Sequence, residues 1–212
     1  MITFKNVNIR FNDIVVMENF CDEFEENKIS CIMGPSGCGK TTLLNLIAGI
    51  QKENSGEITK PKNISYVFQE EALIPQKTAR KNLELVLKSI YREKTELKTI
   101  IDKYLKASDL ETAADLYPHE MSGGMRQRLA LIRAFAYPSD ILLMDEPFKA
   151  LDKALKDSII ETFLKLYKED NRTVLFVTHD IEEAKKTGNF IKKYSNKPMK
   201  LLENIIPHGQ PL

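Results

Sequence analysis

The chain has no apolar run long enough to cross a bilayer. Stretches such as Ile141 to Met144 and Val174 to Val177 are four residues each, against roughly twenty for a spanning helix. No charged segment followed by a long apolar core opens it, so the sequence predicts a protein neither exported nor anchored by itself. Neither sign of charge is in excess. The 31 basic and 30 acidic residues leave a formal charge of +1, and no basic run carries interleaved aromatics, which argues against a nucleic-acid partner. Cysteine is scarce: Cys21, Cys31 and Cys38 are an odd set without metal-ligand or CxxC spacing, which favours free thiols in a reducing cytosol. Repeats, low-complexity tracts and obvious linkers are also lacking. What remains is an ordinary globular chain of 212 residues, 42% hydrophobic and 29% charged, long enough for one large core or a core with an inserted subdomain.

One segment is far from ordinary. Residues 34–41 read Gly-Pro-Ser-Gly-Cys-Gly-Lys-Thr, a complete G-x-x-x-x-G-K-[ST] phosphate-binding loop. Lys28 to Met33 before it suits a buried strand. Leu43, Leu44, Leu46 and Ile47 after it follow helical spacing, so the loop stands between strand and helix as its mechanism requires. Gly34, Gly37 and Gly39 let backbone amides approach an anion, and the helix opening at Lys40 points its positive end at the same place. Lys40 adds a mobile charge for the β- and γ-phosphates, and the Thr41 hydroxyl is suited to magnesium. The loop predicts a nucleoside triphosphate site. Cys38 within it is either a passive small residue or an oxidation-sensitive thiol.

Elsewhere, apolar residues at 2 and 4, then 7, 9 and 11, suit strands with a break near Lys5-Asn6. Asn54-Ser55-Gly56 signals a turn, and Ile64 to Phe68 a strand. Leu83, Val86, Leu87 and Ile90 form one helical stripe; Leu97, Ile100, Ile101, Tyr104 and Leu105 form a second, so residues 76 to about 120 read as a helical insertion. Ile141 to Met144 and Thr173 to Val177 are apolar strands flanking a helix with Leu155, Ile159, Phe163 and Leu166 on one face. Alternating strands and helices predict a mostly parallel sheet covered on both faces.

Two more motifs carry chemistry. The strand ending Met144-Asp145-Glu146 puts two carboxylates at the edge where parallel sheets bind ligands. Asp145 suits the magnesium shell, and Glu146 is then free to polarise a water for in-line attack. In Ser122-Gly123-Gly124-Met125-Arg126-Gln127, Ser122 reads as an N-cap, with Met125, Leu129 and Ile132 on the apolar face of the helix that follows. Two glycines at a capped helix start offer a second phosphate-binding end. Two such ends on one chain make sense if a second copy supplies the other half of the site.

Together these segments resemble an ATP-binding cassette (ABC) transporter ATPase over nearly the full length. Gly34 to Thr41 is similar to the family's Walker A, Gln69 to its Q-loop glutamine and Ser122 to Gln127 to its signature. Ile141 to Glu146 is similar to Walker B, Ala150-Leu151-Asp152 to the D-loop and His179 to the switch histidine. The resemblance implies an α/β P-loop NTPase with a mostly parallel core sheet, an N-terminal antiparallel β region and an inserted α-helical subdomain. It is one ABC ATPase domain over 1–212, with 1–75 and 121–212 as catalytic core and 76–120 as helical subdomain. It also implies ATP and Mg2+ as ligands. Gly34, Pro35, Ser36, Gly37, Cys38, Gly39, Lys40, Thr41 and Thr42 would hold the phosphates, and Phe11 would stack on adenine. Ser122, Gly123 and Gly124 would meet the nucleotide of a second copy paired head to tail. Thr41, Gln69 and Asp145 would serve the metal. Glu146, His179 and Gln69 would be catalytic, His179 holding the γ-phosphate and keeping Glu146 in line.

Subtype features are similar to importer ATPases of the nitrate/sulfonate/taurine group: Phe148 with the Ala-Leu-Asp run, Val67 to Glu70, Tyr117-Pro118-His119 and Ser195 to Pro198. Met125 stands where many members have Gln, and Lys149 where a small residue is common. The group implies a cytoplasmic subunit, peripheral on the membrane through a permease docking near Gln69–Gln76, with an extracytoplasmic solute-binding protein in the same system. An exporter ATPase is the alternative. A nucleic-acid or ribosome-acting ABC protein fits less well, because such members carry a very long coiled-coil insertion or two cassettes.

Overall fold

A computed structural model describes residues 1–149 and 151–207. In chain order the elements are β1 (Ile2–Phe11), β2 (Ile14–Phe24), β3 (Ile29–Met33), α1 (Lys40–Ala48), β4 (Ser55–Thr59), β5 (Ile64–Val67), α2 (Ala79–Leu87), α3 (Lys94–Ala107), α4 (Gly123–Ala136), β6 (Ile141–Asp145), α5 (Lys153–Asp170), β7 (Thr173–Val177), α6 (Ile181–Thr187), β8 (Phe190–Tyr194) and β9 (Leu201–Ile205). They form two compact units, one of Met1–Tyr66, Asp140–Glu146 and the chain from Asn171, the other of Val67–Ser139 and Pro147–Asp170.

The first unit holds two sheets. One is antiparallel, in the order β2-β1-β4. Its β1 is a single strand where the sequence suggested a break, because the alternation of buried residues is reset by a bulge between Phe4 and Val7, with Asn6 at φ 50°. The bulge leaves Ile2, Phe4, Val7 and Ile9 all buried on one side. The Asn54-Ser55-Gly56 signal marks the entry to β4 instead of a free turn. Gly56, at φ 100°, lies against the bulge, where a Cβ would stand 2.5 Å from the Asn6 carbonyl oxygen. The second sheet runs β5-β6-β7-β3-β8-β9, with β6, β7, β3 and β8 mutually parallel and β9 antiparallel at the edge. Strands β3, β6 and β7 are buried almost throughout, which is why they read as apolar runs without alternation. The core of this unit packs Phe4, Phe20 and Phe24 with Leu43, Leu44 and Ile47 of α1 and with Leu143 and Leu175 of the sheet.

The second unit is helical and wider than the 76–120 insertion, since it begins at Val67 and includes α4 and α5. Phe163 of α5 packs 6.0 Å from Phe135 of α4 and 6.5 Å from Phe148, ring centre to ring centre. The first sequence stripe is shorter than expected: Leu83 and Leu87 are buried, but α2 ends at Leu87 and Ile90 is exposed. The buried face of α2 carries a polar residue in its place. Asn82 is fully buried, its Oδ1 accepts from the Ile74 N–H at 2.9 Å, and its Nδ2 lies 3.0–3.2 Å from the carbonyls of Ile74, Lys77 and Thr78. One amide thus satisfies the turn leading into the helix. Asn82→Ala is expected to leave those groups orphaned and to destabilise the protein by about 1–3 kcal/mol. Urea unfolding should show a lower midpoint, and an unchanged midpoint would contradict this role.

Candidate active site

Three strands deliver the site to one edge. Asp145 of β6 pairs with Val177 of β7, and Val177 pairs with Ile32 of β3, so the three strands end on a single row. The phosphate loop after β3, Glu146 after β6 and His179 after β7 therefore leave from the same side of the sheet, where open parallel sheets bind ligands.

The loop is built as a cradle. Gly37 has φ 74° and Gly39 φ 124°, and a Cβ on Gly39 would meet Val16 Cγ1 at 2.8 Å, so conformation and contact both require glycine there. The Cys38 N–H donates to the Pro35 carbonyl at 3.2 Å, and the Leu43 N–H donates to the Gly39 carbonyl at 2.8 Å to start α1. The first turn of α1 contains no acid to oppose its positive end. Lys40 is buried, with Nζ donating to the carbonyls of Gly34 at 2.8 Å and Pro35 at 2.9 Å. An ammonium has three N–H groups, so one remains for an anion. Beside the loop lies a cleft of about 320 Å3, lined by Phe11, Val16, Ser36, Gly37, Gly39, Lys40, Thr41, Thr42, Glu146 and Lys197. Phe11 is 43% exposed at the end of β1 and lines this cleft.

Thr41 Oγ1 donates to Asp145 Oδ2 at 2.8 Å. That separation is close to the ~3.0 Å expected between adjacent oxygens of an octahedron with bonds of about 2.1 Å, so the pair is compatible with one edge of a magnesium shell. Among the described residues no cluster of three or more His, Cys, Asp or Glu could hold a metal. A cation here would therefore draw its other ligands from water and phosphate, as magnesium commonly does. Burial, then the nearby Asp145 charge, pushes the Tyr66 hydroxyl well above its usual range, so it stays protonated beside the pair.

Glu146 sits in the left-handed region at φ 47°, with its N–H donating to the Val177 carbonyl at 3.0 Å. A non-glycine residue there costs on the order of 1–3 kcal/mol, a kind of strain that clusters at working sites. His179 Nδ1 lies 3.9 Å from Glu146 Oε1, beyond hydrogen-bond length, and the imidazole is 64% exposed. Its backbone is well anchored. Thr178 Oγ1 donates to Glu183 Oε2 at 2.5 Å and accepts from the Asp180 N–H at 3.0 Å, while Asp180 caps α6 through the N–H groups of Glu182 and Glu183.

Residues 18–149 match the ABC transporter family. The chain belongs to that family. It is 38% identical over 208 residues to the aliphatic sulfonates import ATP-binding protein SsuB of Bacillus cereus, covering 92% of this chain and 81% of that one. It is 39% identical over 185 residues to the nitrate import ATP-binding protein NrtC of Synechococcus elongatus, covering 82% of this chain and 28% of that one. Its fold matches the dimeric post-hydrolysis structure of the ATP-binding cassette MJ0796 bound to ADP and Pi, with TM-score 0.84 and 33% identity, covering 99% of this chain and all of the other. It is thus an ATP-binding subunit of an ABC transporter, and its enzymatic activity is ATP hydrolysis coupled to transport.

The remaining motif residues of this ABC ATPase lie in the second unit. Gln69 is exposed after β5. Ser122 caps α4 as expected, accepting from the Met125 N–H at 3.3 Å. Gly123 is exposed, but Gly124 is buried, and a Cβ on it would meet Leu155 Cδ1 at 2.5 Å, so its bareness also serves packing between α4 and α5. Of the D-loop run, Ala150 lies outside the described residues, Leu151 is half-buried, and Asp152 Oδ1 accepts from the Leu155 N–H at 3.0 Å at the start of α5. Sequence reasoning missed that cap, and it did not place Lys197 in the cleft. It also left Cys38 open as an oxidation-sensitive thiol, whereas Cys38 and Cys31 are both fully buried, and burial pushes the Cys31 thiol up to about 12. Cys21 is the exposed one. A disulfide-exchange reagent should therefore titrate a single thiol in the native protein and all three in denaturant. Rapid native labelling of Cys38 would contradict the described loop.

Proposed function

We propose that this ATPase works as a head-to-tail pair of identical subunits, and that the pair energises import of a small solute of the nitrate, sulfonate or taurine kind. The carrying observation is the gathering, at one sheet edge, of the loop with Lys40, the Thr41–Asp145 pair, and Glu146 with His179. ATP binds along the cleft with adenine on Phe11 and its phosphates on the amides from Gly34 to Thr42, where Lys40 and the α1 terminus meet the negative charge. Thr41 and Asp145 would hold magnesium, which would neutralise phosphate charge there. Glu146 accepts the proton of the attacking water. His179 closes toward Glu146 and the γ-phosphate, since its anchored backbone and exposed ring leave side-chain rotation to cover the gap. Ser122, Gly123 and Gly124 of the second copy complete the site. Nitrate and sulfonate import by two relatives supports the choice of solute class, as do Phe148 and the 195–198 segment.

No helix of the described residues is long and apolar enough to cross a membrane. In this reading the subunit is held at the cytoplasmic face by a permease docking on Gln69–Gln76, in a system with an extracytoplasmic binding protein. That segment is half committed to its own unit. Glu71 lies 3.3 Å from Arg126 Nε, and Arg133 donates to the carbonyls of Ala72 at 2.8 Å and Glu71 at 3.2 Å, so Glu70 and Ala72 are the residues left exposed at its centre.

Glu146→Gln should yield an ATP-stabilised dimer, because it removes only the group needed for the chemical step and keeps both half-sites. Light scattering after size exclusion, with and without Mg-ATP, reads the outcome. Lys40→Ala added to this variant should abolish the dimer. A Glu146→Gln protein that stays monomeric at high ATP and high protein concentration would sink the composite-site reading.

A further inference from the structure

We propose that Lys197 is a second phosphate-binding cation of the cleft, contacting the part of the nucleotide that ATP and ADP share. The inference rests on the nucleotide reading of the cleft and adds a residue to it.

Lys197 stands on the turn between β8 and β9, which its own hydrogen bonds make rigid. The Ser195 N–H donates to the Lys200 carbonyl at 2.9 Å, the Lys200 N–H to Ser195 Oγ at 3.0 Å, and Ser195 Oγ to the Pro198 carbonyl at 3.1 Å. The Lys197 N–H donates to Asn196 Oδ1 at 2.9 Å. The turn is also fastened to the site. The Met199 N–H donates to the Val16 carbonyl of β2 at 2.8 Å, and buried Met199 lies against Gly39, its Sδ 3.3 Å from the point a Cβ would occupy there. Two residues before that anchor, Lys197 lines the cleft with Phe11 and Lys40.

Ion pairing sets it apart from the lysines of β8. On β8, Lys192 is paired with Asp22, and Lys193 lies 3.0 Å from Glu203. Lys197 has no carboxylate partner among the described residues. Lys40, the other lysine of the lining, already gives two of its three N–H groups to loop carbonyls. A nucleotide phosphate chain brings more negative charge than one remaining N–H can meet, and an unpaired ammonium at the cleft wall supplies the difference. Position along the nucleotide follows from the anchors. The turn touches β2 at Val16, close to the Phe11–Ile14 pairing, and touches the loop at Gly39, two residues before Thr41. Lys197 thus stands between the base end and the metal end, beside the phosphate nearest the ribose.

The test is calorimetric binding of ATP and of ADP to wild type, Lys197→Met and Lys197→Arg at low and high salt. Lys197→Met should raise both dissociation constants by about three- to tenfold, by the same factor, and flatten their salt dependence, whereas Lys197→Arg should bind as wild type does. Lys197→Gln gives the same comparison should methionine perturb the turn. Wild-type affinity and salt dependence in the uncharged variants would overturn the proposal. A loss confined to ATP would overturn it as well, since it would move the contact to the γ-phosphate. A wild-type protein binding neither nucleotide would instead sink the nucleotide reading beneath it.

Discussion

The hydrogen bond from Thr41 to Asp145 joins the first turn of α1 to the end of β6, and the rest of the site is arranged around that junction. It is possible only because β3, β7 and β6 are parallel and end in register, which delivers a loop, a carboxylate pair and a histidine to the same edge. An antiparallel neighbour would have sent its C-terminal residues to the opposite side. The chemistry follows from this constraint. A hydroxyl and a carboxylate oxygen held 2.8 Å apart would supply two ligands of a metal shell, and Glu146, one residue further on, lies close to His179 instead.

Support for the loop comes from beneath it. Asp22 on β2 is paired with Lys192 on β8, with side-chain exposures of 3% and 6%, and Tyr194 donates its hydroxyl to Asp22 Oδ2 at 2.6 Å. Lys192 also donates to the Glu23 carbonyl and lies 4.5 Å from the Phe24 ring centre. A buried ion pair is stabilising only when its remaining donors and acceptors are met, and here both ions have further partners. The cluster ties the antiparallel sheet to the parallel one. Phe11 and the phosphate loop come from these two sheets, so their spacing across the cleft depends on it.

Much of this was legible in the sequence because the motifs are local. A glycine loop between strand and helix, two acids after an apolar strand, and a serine at a helix start each declare their geometry within a few residues. The missing elements were β2, β4, β8, β9 and α6. In β2 the alternation is interrupted by register shifts, β9 is largely exposed and leaves no burial pattern, and α6 is a single short helix of mostly charged and polar residues. Asn82 and Lys197 were hidden for a different reason. Their partners are carbonyls of a folded turn and the wall of a cleft, neither of which has a sequence signature. Asn82 even occupies the apolar face of its helix, where periodicity alone predicts a hydrophobic residue.

In the proposed function Thr41 and Asp145 would form a metal site that works together with bound nucleotide. The most direct test is manganese binding, followed by electron paramagnetic resonance, to ADP-loaded wild type and Asp145→Asn. Removing the carboxylate charge while keeping its shape should weaken manganese binding by about ten- to a hundredfold, the scale for disturbing a metal's close partners. ADP binding without metal should be unchanged. Equal manganese affinity in the two proteins would contradict the account.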